Sequence, residues 1–463
     1  MRLGASFNLI DRMSYKWLKV FAIAANICAL LLGWNYYDVM WWSQWYRIAE
    51  VYGLNALLNI YKLCLPPDCK VPYPPLAVIS FVLIYALASI FPPLIKMVIL
   101  KSLIVFLPGL AVYFIIKKLR GSEEALLWIS SWPFLQILFA FQFDVMISLF
   151  ILLSTIAILK NRIGYAAFYL SLATMMKHVV GILIPLHLIF LRIARGWKDV
   201  AKYLTVCVVT IGAIALPFFV STPKEFLNQL ILFHSTRAPQ DLSLWAIATI
   251  LLENQVEEVK QIVGNLWALF FIVIYMLILY TFWNQLKSQG SLSNQTLLPI
   301  FTSIILLVFI SLNKVGNLNY VVWFIPTALA FLNKTHTRTI YRLTFVLGIV
   351  GGLVYTFMLL VPPAAAEASV FIAEDQACWN ARAIIAQSLN PYIFSLLSPL
   401  FTLYTAYISK PISTPTDFVA EIKVFKLLFI LRSHIIVSAI MFSQVLLMVI
   451  ITSMIKWVKE YVT

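Results

Sequence analysis

Trp34-Asn35-Tyr36-Tyr37-Asp38-Val39-Met40-Trp41-Trp42 follows directly on a long apolar run, and Tyr73-Pro74-Pro75-Leu76 closes the loop that it opens. The pair decides how the chain is read. A run long enough to span a bilayer delivers one acid into a belt of Trp and Tyr, the side chains that settle at a membrane–water interface. A Pro-Pro turn then starts the next helix, because proline is tolerated in a first helical turn. An acid in that place is costly unless it has a task.

Composition widens the reading to the whole chain. Of the 463 residues, 62% are hydrophobic and 11% charged, against about 25% charged in a soluble domain. Apolar segments fall at 17–34, 94–116, 125–141, 144–159, 164–176, 179–191, 200–220, 264–283, 297–312, 320–332, 341–361, 391–408 and 435–455. The expectation is an all-α, polytopic transmembrane protein with about 12–13 membrane helices. The first loop, external, should carry interfacial helices. Segments 164–176 and 179–191 are short and read as a helical hairpin. Segment 76–91 is fenced by Pro74-Pro75 and Pro92-Pro93 and reads as interfacial or re-entrant, not crossing. No cleavable leader is expected, since the first run is long enough to remain as a span.

The topology can be tested on charge. With the N-terminus inside and 76–91 not crossing, the basic clusters collect on one side. They are Arg2, Arg12 and Lys16; Lys117, Lys118 and Arg120; Lys160 and Arg162; Arg192, Arg195, Lys198 and Lys202; Lys287; Lys334, Arg338 and Arg342; and Lys410, Lys423, Lys426 and Arg432. That gives about 20 basic against about 6 acidic residues inside, and about 12 against about 13 outside. The formal charge of +15 is then a cytoplasmic signature, and a nucleic-acid partner is not expected.

The outer face gathers the unusual residues. Asp38 reads either as a general base or as a cap on a helix beginning near Val39. Tyr73 sits in a rigid turn that also serves as plain loop-to-helix punctuation. Gln142-Phe143-Asp144 marks a tight turn, where the second acid either positions an acceptor and the first loop or is simply solvated. Lys177-His178 interrupts an apolar stretch, and a lysine there must pair or lose its charge. Lys177 would meet a lipid phosphate or pair with Asp144 for structure. Phe233-His234-Ser235-Thr236-Arg237, followed by Ser243-Leu244-Trp245, offers a guanidinium fork suited to phosphate, or a surface cation on lipid headgroups. Asn313-Lys314-Val315-Gly316-Asn317-Leu318-Asn319-Tyr320 offers a second cation, with snorkelling as the bland reading.

Five cysteines occur. Cys28 and Cys207 lie in apolar segments and read as inert. Cys64 and Cys69 bracket Leu-Pro-Pro-Asp and are either free or bridged, bridging needing an oxidising side. No zinc spacing, no Asp-x-Asp beside Asp38 and no phosphate-cradling glycine loop is present, so neither a metal nor a nucleotide-sugar donor is suggested.

Taken in chain order, Asp38, Tyr73-Pro74-Pro75-Leu76, Phe143-Asp144, His234 to Trp245, and Asn313-Lys314 through Asn319-Tyr320 to Trp323 resemble the GT-C superfamily of integral-membrane glycosyltransferases. The likeness covers roughly residues 30–330. The Asp38-to-Pro75 stretch is similar to single-aspartate mannosyltransferases, and the Asn313-to-Trp323 stretch to the first mannosyltransferase of GPI-anchor synthesis. The resemblance implies a GT-C-type catalytic module over 1–332, with 333–463 a C-terminal region carrying no motif. It implies an inverting transferase moving a hexose, mannose foremost, from a polyprenyl- or dolichyl-phosphate sugar to an acceptor hydroxyl at the external or luminal face. Asp38 would be the base. Arg237, His234, Lys314 and Tyr73 would bind the donor phosphate. Asp144, Gln142, Lys177, His178 and Tyr320 would position the acceptor or the loops. No cofactor is implied, the lipid-linked sugar being a substrate. Membrane lipid is the surrounding partner, and a membrane-protein partner is left open. The resemblance favours the plasma membrane (the endoplasmic reticulum in a eukaryote), with a cytoplasmic N-terminus. A lipid or sugar transporter is the rival. Such folds carry midplane charges and inverted repeats, and no repeat is visible here.

Overall fold

A computed structural model describes residues 15–33, 36–65, 69–237, 239–251, 256–288, 294–360 and 415–462. It is helical almost throughout, the described exceptions being turns and one two-residue bridge. Among the described residues, five helices are long and apolar enough to cross a membrane: Tyr15–Leu32, Ile95–Arg120, Trp197–Ser221, Gln261–Ser288 and His434–Val458. Shorter apolar helices fill the space between them, including Asp144–Leu159, Ile163–Met176 and Thr296–Leu312.

The two kinds of helix have different neighbours. Asp144–Leu159 buries Val145, Ile147, Ile151 and Leu152 and lies at the centre. Trp197–Ser221 and Gln261–Ser288 instead expose Val208, Val209, Leu216, Leu269, Phe270 and Met276. Aliphatic side chains presented outward on long helices suit lipid tails, which solvate them as well as a protein interior would.

Several segments break where their local chemistry demands it. The run 125–141 forms two helices, Ser122–Ile129 and Trp132–Phe139. Ser131 caps the second by accepting from the Phe134 amide at 3.4 Å, and Pro133 sits in its first turn. A serine cap followed by proline starts a helix rather than continuing one. Within the second long helix, a π-turn over Ser102–Phe106 precedes Pro108, whose missing N–H removes one rung of the ladder. The run 320–332 divides into a 3-10 turn, Leu318–Trp323, and a short helix, Ile325–Phe331.

The anticipated 164–191 hairpin is looser than a paired hairpin. Lys177 is extended, a 3-10 turn covers His178–Leu183, and Ile184–Ala194 follows. Ile163–Met176 packs on Asp144–Leu159 and Trp197–Ser221, whereas Ile184–Ala194 packs on Trp197–Ser221 and Val256–Ser288. The fenced segment forms a helix at Pro75–Ser89, 15 residues long. At ~1.5 Å per residue it reaches about 22 Å, short of a hydrocarbon core of about 30 Å.

The first loop carries Tyr36–Tyr52, a 3-10 turn Leu54–Asn59 and Ile60–Leu63. The Asp38 helix therefore starts at Tyr36, ahead of Val39. It is seated by aromatic rings: Trp42 stacks on Phe81 at 4.2 Å, and Phe81 meets Phe143 edge-on at 5.3 Å. Its entry is held by Lys101, which is 1% exposed and donates to Ala29 O and to Gly33 O, the latter at 2.8 Å. A cation on the last carbonyls of a helix also opposes the negative end of its dipole.

Residues on both sides of position 332 share one core: Ile340, Tyr341 and Leu347 pack with Ile440, Leu447 and Ile450 against the central helices. The expected span 341–361 lies in Lys334–Leu360 and 435–455 in Pro415–Val462. The expected span 391–408 lies outside the described residues.

Lys101→Met should cost about 1–3 kcal/mol, since two buried carbonyls lose a charged donor. Thermal unfolding in detergent reads this. An unchanged melting temperature would show that Lys101 does not anchor the first helix.

Candidate active site

Asp38 lies in the first turn of Tyr36–Tyr52, where the positive end of the helix dipole favours a carboxylate. It is half-buried, and its Oδ2 accepts from Gln142 Nε2 at 2.5 Å. Gln142 is aimed by the turn before it. Its amide donates to Ile137 O at 3.0 Å, and Phe141 between them takes a φ of 50°. That is the left-handed close of a helix, a position usually given to glycine. A bulky residue there costs roughly 1–2 kcal/mol. The Phe141 ring is fully buried and lies edge-on to Trp42 at 5.3 Å, burial that offsets the strain.

Asp144 is 0% exposed. Its Oδ1 accepts from Lys177 Nζ at 3.0 Å and from Trp323 Nε1 at 2.8 Å. The Lys177 ammonium also lies 4.1 Å from the Tyr320 ring centroid, 5.1 Å from Trp323 and 5.5 Å from Phe143. Of the two readings of Lys177, the structure holds the ion pair with Asp144. Removing either partner would leave an uncompensated buried charge.

Tyr73 is the meeting point. Tyr61 Oη donates to its carbonyl at 2.7 Å, and its ring lies 5.1 Å from Phe143 and 6.0 Å from Trp45. Burial holds its phenol well above the usual tyrosine range, with Asp38, Tyr320 and Asp144 adding to the rise and Arg237 opposing it. The hydroxyl therefore stays a proton donor. Field effects from all four groups also mean that separate stretches of chain converge here.

His234 Nε2 lies 2.9 Å from Pro72 O. A carbonyl only accepts, so Nε2 carries the proton. Burial pushes this imidazole down to about 3, and His178, whose ring is 5.1 Å away, pushes the same way. His234 is thus neutral, with its N–H committed to the turn ahead of Tyr73. It ties that turn to the 233–237 segment and brings no positive charge.

The cations lie beside it. Arg237 is half-buried, its Cζ 5.7 Å from the Phe233 centroid, and it has no carboxylate partner among the described residues. Lys70 Nζ approaches the same ring at 5.4 Å and Trp41 at 5.3 Å. Lys314 is buried, and burial followed by the nearby Arg237 pushes its ammonium below the usual lysine range. Arg237 thus makes Lys314 harder to charge, the effect of a like charge close by.

Sequence reasoning passed over Lys70 and Gln229. Lys70 had a signal: it follows Cys69 in the same loop as Asp38. Gln229 had none. It is 6% exposed; its Oε1 accepts from Val71 N, and its Nε2 donates to Tyr61 O and Cys64 O, each at 2.6 Å. Cys64 and Cys69 are bridged, with Cα atoms 4.8 Å apart. Trp45 Nε1 donates to Lys70 O at 3.0 Å. The loop from Tyr61 to Tyr73 is therefore pinned to the segment that carries Arg237.

The Arg237 and Lys314 turns are joined in turn. Gln240–Asp241 forms a parallel bridge with Val315–Gly316, and Leu242 N donates to Gly316 O at 3.1 Å. Ser243 Oγ donates to Asn313 O at 2.9 Å and Trp245 Nε1 to Leu312 O at 2.8 Å. A Cβ on Gly316 would lie 2.1 Å from Ser243 N, so only glycine fits. No group of three or more His, Cys, Asp or Glu side chains able to hold a metal occurs among the described residues.

The fold is that of a polytopic membrane protein, with Asp38 and Arg237 both acting on Tyr73 and Lys314 close to Arg237. The chain belongs to glycosyltransferase family 87, whose model matches residues 72–311, and this bears out the GT-C resemblance. It is an integral-membrane glycosyltransferase. Among solved structures, it is similar to the crystal structure of ArnT from Cupriavidus metallidurans bound to undecaprenyl phosphate. The TM-score is 0.42 and the identity 13%, over 93% of this chain and 78% of that one, a likeness too distant to bear on substrate. No curated protein matches the chain.

Gln229→Glu should cost about 1–3 kcal/mol, because a carboxylate cannot donate to the Tyr61 and Cys64 carbonyls. Unfolding in detergent would show it, and a wild-type midpoint would rule the clip out. A second expectation concerns pH. A histidine titrating near 6.5 unfolded and about 3 folded binds its proton only in the unfolded chain between those values. Its support is complete above about pH 6.5 and is lost as pH falls towards 3. His234→Gln keeps an N–H donor without the titration, so its melting temperature should fall less between pH 7 and pH 4. Equal acid slopes would contradict this.

Proposed function

We propose that the chain is an inverting hexosyltransferase, with mannose the first sugar to test. It would take the sugar from a polyprenyl- or dolichyl-phosphate donor and pass it to an acceptor hydroxyl at the external or luminal face. One observation carries this reading: the half-buried Asp38, oriented by Gln142, and the Arg237 guanidinium both act on the Tyr73 phenol.

The chemistry follows from that placement. The acceptor oxygen attacks the anomeric carbon while Asp38 takes its proton. The bond from that carbon to the phosphate oxygen breaks, and the lipid phosphate leaves carrying the negative charge. A positioned base contributes typically about 10²–10⁴-fold. Cations fixed where charge develops stabilise the departing phosphate. A retaining route would need a second carboxylate as nucleophile. Asp144 is fully buried and ion-paired, which favours inversion.

His234 is better suited to holding the Pro72 turn than to contacting phosphate, because it is neutral and its N–H is engaged. Asp144, Lys177 and Tyr320 suit loop support, and Gln142 suits orientation of the base. The external face is supported by the basic residues gathered on the other side and by the Cys64–Cys69 bridge, since disulfides persist on oxidising sides of membranes. The N-terminus is then cytoplasmic. The plasma membrane and the preference for mannose rest on the family resemblance.

Transfer of labelled mannose and glucose from their polyprenyl phosphates should be measured with wild type, Asp38→Asn and Arg237→Gln. Asp38→Asn keeps an acceptor for Gln142, so folding and donor binding should survive while kcat falls about 10²–10⁴-fold. Arg237→Gln should lose about 10²–10³-fold and bind donor more weakly. A wild-type rate in Asp38→Asn would remove Asp38 as base. Inert polyprenyl donors with folded wild type would remove the donor class.

A further inference from the structure

The family match ends at residue 311, and nothing in the sequence gives the C-terminal helix, Pro415–Val462, a task. Gln444 on that helix gives it one. The side chain is 7% exposed. Its Oε1 accepts from Ser311 Oγ at 2.7 Å, and its Nε2 donates to Leu242 O at 2.6 Å. Ser311 stands just ahead of Lys314 at the end of Asn294–Leu312. Leu242 follows the bridge strand Gln240–Asp241, downstream of Arg237. One amide therefore grips both limbs of the cation cluster from behind.

The grip adds to the ties between the two turns by meeting a carbonyl that they leave open. Leu242 N is already committed to Gly316 O, and the carbonyl side of the same peptide segment is met by Gln444. In an apolar interior a carbonyl without a donor is expensive, and irregular backbone survives there only where protein groups satisfy it. The limbs cannot relax apart independently, because Ser243 Oγ and Trp245 Nε1 bind the other turn at Asn313 and Leu312. The helix Ala246–Leu251, which continues the Arg237 limb, also packs on the C-terminal helix.

We propose that the C-terminal helix is part of the donor site, with Gln444 a positioning residue that sets the spacing of Arg237 and Lys314 for the donor's phosphate. The proposal rests on the polyprenyl-phosphate reading above. It makes residues 415–462 a determinant of donor affinity rather than a passive wall.

The test uses the full chain in nanodiscs, with sugar-free polyprenyl phosphate as binding probe and the labelled polyprenyl-phosphate sugar as donor. Gln444→Met removes both hydrogen bonds at similar volume. Donor KM and the Kd for polyprenyl phosphate should each rise roughly tenfold, the size of one or two lost hydrogen bonds. At saturating donor, kcat should also fall, by less than the about 10²–10³-fold of Arg237→Gln, since the cations that Gln444 spaces also meet the charge developing on the departing phosphate. The double variant Gln444→Met/Arg237→Gln should lose much less than a further tenfold beyond Arg237→Gln alone, because only Lys314 is left to position. A merely structural residue would lower the melting temperature without that non-additivity. Should Gln444→Met fail to fold, Ser311→Ala removes one grip with little volume change and should show the same pattern at smaller size.

Equal Kd in wild type and the Gln444 variant, or losses that add in full on Arg237→Gln, would overturn the proposal alone. If wild type does not bind polyprenyl phosphate, the donor reading falls and the proposal falls with it.

Discussion

Irregular backbone sunk among membrane helices must find every hydrogen bond within the protein, because lipid supplies none. The candidate site is built from such backbone, and buried glutamines satisfy much of it. Gln229 donates to Tyr61 and Cys64 and accepts from Val71; Gln444 spans Ser311 and Leu242; Gln142 holds the Asp38 carboxylate. An amide can donate and accept at once and carries no charge. It can join two loops without adding to the field that the substrate must meet. Lys101 does related work at the end of the first helix, where the orphan carbonyls call for a cation instead.

The charges are sorted by the same economy. The one acid–base pair at the heart of the bundle, Asp144 with Lys177, is closed on itself and walled by Trp323, Tyr320 and Phe143. It fixes the ends of two helices without presenting net charge to the site. Asp38 stays half-buried at a helix start, and Arg237 lies beside the Phe233 ring, close enough to act on Lys314 and Tyr73. Histidine, which could have supplied another cation, is instead held neutral at His234 by burial. The site region thus holds a half-buried carboxylate, Asp38, and the cations Lys70, Arg237 and Lys314, while the Asp144–Lys177 pair is closed on itself.

Much of this was legible in the chain. The apolar runs, the aromatic loop around Asp38 and the Pro-Pro turn give a polytopic helical membrane protein. The pairing of Lys177 with Asp144 was one of two readings, since a lysine in an apolar stretch must find a partner. Other features were hidden for stated reasons. Ser131 and Pro133 cut a segment whose hydrophobicity runs on unbroken, because apolarity says nothing about where a helix restarts. Gln229 and Gln444 look like ordinary residues in apolar runs, and their partners lie far away in sequence.

The sequence by itself determined the membrane setting, the acid that opens the first loop and the cations available on the other outer turns. Those follow from local hydrophobicity, charge counts and the interface preference of aromatic rings, none of which needs long-range contacts. Only the tertiary structure decided which cations stand together, that His234 is a neutral tie, and that the C-terminal helix reaches the Arg237 and Lys314 turns through Gln444. Each of those depends on a hydrogen bond or a burial that forms between distant segments. Such contacts are fixed by how the helices pack, and no periodicity in the chain announces them.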